Sequence, residues 1–155
     1  MDAKRELLRH TLATLAYRAV RALDGAPDEF AAFSGCGRTP GQILAHMGDL
    51  FDWALSIAQG NSRWHTSKPK AWTTEKERFF AALAAFDAYL AGADPVHEEM
   101  ERLFQGPVAD ALTHTGQLAM MRRLAGYKIP GENYHAAKIA VGRIAADQPK
   151  AVKTF

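Results

Sequence analysis

Apolar residues recur along this chain at three- and four-residue intervals, the spacing that gathers side chains on one face of an α-helix. Leu8, Leu12, Leu15, Ala19 and Ala22 make the first such stripe, and Gly25-Ala26-Pro27 stops it. A loop containing SGCGRTPG follows. Thr39-Pro40 then has the order of an N-cap followed by proline at the first helical position, where a missing N–H costs nothing. Ile43, His46, Leu50, Trp53 and Ile57 share one face of this second helix, expected to end near Gln59-Gly60. Residues 61–72, NSRWHTSKPKAW, have no period and read as a loop. Thr73 or Thr74 is the expected cap of a third helix, with Glu75 and Glu77 at the positive end of its dipole. Its stripe is Phe79, Leu83, Phe86 and Leu90, and Gly92 ends it.

Asp94-Pro95 opens a further helical stretch, DPVHEEMERLFQ, which Gly106-Pro107 breaks or kinks. The helix after it is expected to run to about Ala125, with Gly126 as a left-handed stop. A last helix is expected from about Tyr134 to Ala146, ahead of a frayed KAVKTF tail. Strand signals are nearly absent, with no alternating β-branched run and no Asn-Gly hairpin. The pattern predicts an all-α fold: a four-helix bundle with one or two additional helices, in a single domain over residues 1–155.

Composition narrows the class. At 155 residues with 48% hydrophobic content, roughly 70% of the unfolded chain's surface is open to burial, enough for a core without staples. The formal charge is +2, from 19 basic and 17 acidic residues that are well mixed. A dedicated nucleic-acid binder would carry a basic stripe instead. No run approaches the ~20 apolar residues of a membrane span, and the charged N-terminus lacks a signal-peptide core. Cys36 is the only cysteine, so no intrachain disulfide forms, and a reducing, cytoplasmic setting is expected.

Several motifs come close to known chemistry and fail. GCGRTPG has its third glycine one place too late for a dinucleotide loop and follows no strand. HEEME, from His97 to Glu101, has glutamate where a zinc protease needs its second histidine. Neither a P-loop nor a nucleophile elbow is present. Cys36 has no local partner to lower its pKa.

One constellation survives. At 100° per residue, Asp110, His114, Gln117 and Met121 fall in a narrow sector of one helix. Asp110 and His114 point the same way, as two ligands of one metal ion would. His46 lies on the apolar stripe of the second helix and so faces inward. Helical bundles build metal sites from such inward-facing residues on neighbouring helices. Two imidazoles and a carboxylate leave coordination positions open, the arrangement of a catalytic site. On spacing alone, Asp110 and His114 are equally an ordinary i,i+4 pair worth ~0.5 kcal/mol. Gly116, which costs ~1 kcal/mol in mid-helix relative to alanine, is explained if a neighbouring helix or ligand packs close.

Two stretches also carry a family resemblance: RTPGQILAHMGDLFDWAL (38–55) and GPVADALTHTGQLAMMRRLAG (106–126). Through them, and over nearly its whole length, the chain resembles the DinB/YfiT-like superfamily of small metal-binding four-helix bundles. That family places one histidine on the second helix, matched by His46, and H-x-x-x-H on a later one. His114-Thr-Gly-Gln117 matches the second histidine of that pair, and the first falls on Asp110. The resemblance implies one divalent ion held by His46, Asp110 and His114, zinc or nickel in the family's manner. The carboxylate makes iron and manganese more favourable than three imidazoles would. It further implies metal-dependent transfer of a low-molecular-weight thiol, of the bacillithiol or mycothiol type, to a small electrophile, or isomerisation with such a thiol. The alternative is a non-catalytic, stress-associated metal-binding bundle with a degenerate site. A homodimer is expected from the family; nucleic-acid and membrane partners are not.

Around this set, Asp49 stands one turn after His46 as an orienting partner or alternative ligand, and Gln117 as an anchor for a ligand water. The loop with Trp64, His65 and Trp72 reads either as a lid or as a surface loop with apolar anchors. His10, His97 and His135 read as surface or rim residues, and Arg122 and Arg123 as facing solvent or a partner.

Overall fold

The computed structural model describes residues 2–155. Among them the chain forms α1 (Ala3–Leu23), α2 (Pro40–Ala58), α3 (Trp72–Ala91), α4 (Met100–Leu103) and α5 (Ala109–Leu124). A π-helical segment, Phe104–Val108, joins α4 to α5 as one continuous fourth helix. Two short 3-10 turns, Asp28–Ala32 and Tyr134–Ala136, complete the helical structure, and no strand is formed among the described residues. The architecture is all-α with four long helices.

The second helix starts as its sequence dictates. Thr39 Oγ1 accepts from the Gln42 amide at 3.3 Å while Gln42 Oε1 accepts from the Thr39 amide at 2.9 Å. This reciprocal pair satisfies two amides that the helix start leaves open, with Pro40 at N1. The third helix differs from expectation. It begins at Trp72, and neither Thr73 nor Thr74 caps it. Glu75, fully buried in the first turn, accepts from the Lys70 amide at 2.8 Å instead.

The expected stripes form the core. Leu12, Leu15, Phe79, Leu83, Phe86 and Leu90 are each fully buried. Phe51 of α2 lies 6.0 Å from the Phe79 ring and 6.2 Å from the Phe86 ring, which ties α2 to α3. Burial of each such side chain contributes about 1.5–3 kcal/mol. Arg122 belongs to this interior and not to the surface. At 4% exposure it donates to the carbonyls of Ala22 and Asp24 at 3.3 and 2.6 Å, closing the C-terminal end of α1. Burial pulls its pKa below the ordinary arginine range.

Two helical expectations fail. Residues 94–99 precede α4 as irregular chain, so His97 and its acidic neighbours are not helical. The expected last helix reduces to Tyr134–Ala136. Gly142 takes φ +82, a left-handed conformation that no α-helix contains. The C-terminal segment is an irregular strap tied to α1 instead. Glu132 accepts from Arg21 Nε at 3.1 Å and from the Tyr17 hydroxyl.

Pro107 accounts for the π segment. It has no N–H to give and its ring crowds the carbonyl four residues back. The ladder resumes when the Ala109 amide reaches back five residues to Phe104, adding a residue to that turn.

Candidate metal centre

His46 projects from α2, and Asp110 and His114 from consecutive turns of α5. The structure brings all three together. Asp110 stands between the two imidazoles: Oδ2 is 3.2 Å from His46 Nε2, and Oδ1 is 3.4 Å from His114 Nε2. The rings lie 5.0 Å apart at an interplanar angle of 89°. One ligand atom from each residue lies within 4.8 Å of the other two, so the group is able to hold one metal ion. Half-buried histidines and a carboxylate with a 45% exposed side chain place the site at the edge of the bundle, open to solvent.

Hydrogen bonding around the triad decides how its donors point. His114 Nδ1 donates to Gln117 Oε1 at 2.7 Å. In the neutral ring this fixes the tautomer and leaves the Nε2 lone pair directed at Asp110. Two lone-pair-bearing atoms then converge at 3.4 Å, an arrangement relieved by a shared cation, either a metal ion or a second proton on the ring. The donor set therefore fits a divalent ion. Gln117 acts by orienting the ring.

Trp64 completes the wall. Its ring is 5.6 Å from both His46 and Trp53, edge to face. The loop that carries it is pinned at several points. Ser56 Oγ accepts from the Arg63 amide at 3.0 Å, and Asp49 Oδ2 accepts from the Ser67 amide at 2.9 Å. Arg78 of α3 holds the Asp49 anchor, donating to Asp49 Oδ1 and Glu75 Oε2, each at 3.0 Å, and to Asp52 Oδ2 at 3.2 Å. These carboxylates hold its pKa above the ordinary value despite partial burial. Gly48 makes room for the guanidinium: a Cβ there would lie 2.7 Å from Arg78 Cζ.

Several residues therefore take roles other than those expected. Asp49 is buried, but its carboxylate serves Arg78 and the loop, not the His46 ring. Gly116 has nothing within 4 Å of where a Cβ would be, so close packing does not explain it. Trp72 is a core residue packed edge-on against Phe30 at 5.4 Å, away from any lid role. His10, His97 and His135 are exposed, as expected; His65 is exposed too, and none of the four joins the triad.

The triad opens into a cleft of about 530 Å³, also lined by Cys36, Arg38, Ile43, Met120, Met121 and Leu124. Periodicity placed Met121 on the ligand stripe. Arg38 and Cys36 come from an irregular loop, where no spacing rule predicts a direction. The histidine–carboxylate group is thus a possible metal site in a helical bundle, with an open cleft in front of it. Comparison with family models, curated proteins and solved structures gave no match.

Proposed function

We propose that the chain binds one divalent metal ion through His46 Nε2, Asp110 and His114 Nε2, and uses it for thiol transfer to a small electrophile. The observation that carries the metal reading is the convergence of His114 Nε2 on Asp110 Oδ1 at 3.4 Å while Nδ1 is held by Gln117. Three protein donors are fewer than a divalent transition metal accepts, and the residues that would hold it line an open cleft. A divalent ion held by these residues would supply Lewis acidity, favouring the thiolate form of a thiol at the site. The protein's own residues hold the rest of the geometry. Gln117 sets the His114 ring, Trp64 packs against the His46 ring, and Ile43 and Met121 line the cleft beside the site. The resemblance to DinB-like bundles supports the thiol chemistry, with zinc, nickel, iron or manganese as the ion.

The partly exposed Asp110 side chain favours a second reading, a non-catalytic metal-binding bundle. Elemental analysis separates site from no site: about one ion per chain is expected, lost in His114→Ala. Protein that takes up none of the four metals sinks the site reading. Metal-dependent conjugation of a thiol to a generic electrophile then decides between catalysis and binding alone.

A further inference from the structure

The rim of the same cleft carries features that the triad does not use. Arg38, in the loop before α2, lines the cleft and makes no salt bridge or hydrogen bond among the described residues. Arg9, Arg21 and Arg78, by contrast, each reach a carboxylate. In the same cleft, the α5 face that holds His114 and Gln117 turns apolar toward its end. Met120 and Leu124 line the cleft at 65% and 62% exposure, together with the buried Met121 and Ile43. Large exposed apolar side chains gathered in one concave site mark a place for a ligand's hydrocarbon. Methionine adapts its shape to such a body.

Charge points the same way. Asp110 is the only carboxylate in the cleft lining, so it offsets one of a divalent ion's two charges. Arg38 adds another, leaving the loaded cleft with two excess positive charges. From these observations we infer that the cleft takes a small carboxylate with an apolar body: the carboxylate pairs with Arg38, the body lies on Met120 and Leu124, and the far end reaches the triad. A guanidinium suits this role because its fork matches a carboxylate's two oxygens. The charge argument rests on the metal reading, whereas the free guanidinium and the apolar wall stand without it.

The test uses 4-phenylbutyrate and its neutral counterpart 4-phenylbutan-1-ol as probes, added to methyl-labelled protein with and without zinc. The carboxylate should shift the Met120 and Met121 methyl signals and bind at least tenfold more tightly than the alcohol. Arg38→Gln should abolish that preference in both forms, and Arg38→Lys should restore part of it. Equal binding of the two probes, no methyl shift, or a preference that survives Arg38→Gln overturns the inference. Zinc content, measured on the same samples, tests the metal reading separately. A preference without zinc uptake sinks only the metal, and uptake without a preference sinks only the carboxylate.

Discussion

Gln117 fixes the direction in which His114 can bind. Its Oε1 takes the Nδ1 proton at 2.7 Å, and the other ring nitrogen is thereby committed to the space beside Asp110. Gln117 is exposed, so its removal should cost little stability. Gln117→Ala is expected to weaken metal binding about 10- to 100-fold, as loss of a ligand's orienting partner does. Chelator competition measures the affinity, and a melting curve within a few degrees of wild type shows that the fold is intact.

Asp110 tunes the choice of ion. Asp110→His should retain metal and move preference from manganese and iron toward zinc and nickel, since imidazole replaces a hard oxygen donor. Asp110→Ala should lose most of the affinity for all four. Paired-metal competition, read by elemental analysis of the dialysed protein, gives the ranking. An unchanged ranking in Asp110→His would show that Asp110 is not a ligand.

Gly48 is tested by adding one carbon. Gly48→Ala puts a Cβ where Arg78 now sits, and the guanidinium cannot shift without leaving the buried Asp49 and Glu75. Breaking a buried pair typically costs about 3–5 kcal/mol, and partial relaxation should bring this substitution to about 2–4 kcal/mol. Urea unfolding reads the loss. The loop carrying Trp64 should also loosen, raising amide exchange at Ser67 and Lys70, whose N–H groups the two carboxylates hold.

Alkaline pH should act through Tyr17. Burial first, and then its hydrogen bond to Glu132, raise its pKa above the ordinary value of about 10. The unfolded chain therefore releases this proton before the folded one does. Between those two pKa values the native state holds more protons, and stability falls as pH rises. Tyr17→Phe should flatten this part of the stability profile above about pH 10, measured as melting temperature against pH. A parallel decline in both proteins would exclude Tyr17 as the cause.

Helix positions were legible in the sequence wherever burial and period coincide. The stripe from Phe79 to Leu90 and the Thr39-Pro40 start are local signals, and the fold honours them. The triad was legible for the same reason: His46 sits on an apolar stripe, and Asp110 and His114 are four residues apart. What resisted reading depends on pairing across the chain. Glu75 resembles a dipole-facing surface residue until Lys70 and Arg78 are found around it. Asp49 is drawn from His46 by Arg78, 29 residues away. Arg122 looks like a solvent-facing cation, yet its partners are backbone carbonyls near the end of α1. Charged side chains carry no period that tells a solvated face from a buried network.

The extra residue accommodated at Phe104–Val108 has a consequence for how such a site arises. It sets the phase at which α5, packed against both α1 and α2, presents Asp110 and His114 toward His46 of α2. A single deletion within the segment, restoring regular winding, would swing the ligand-bearing half by about 100° about its axis. Every donor would survive in the sequence, and the constellation would be gone. The centre is therefore inherited as a phase relationship, one that a ligand-by-ligand alignment does not register.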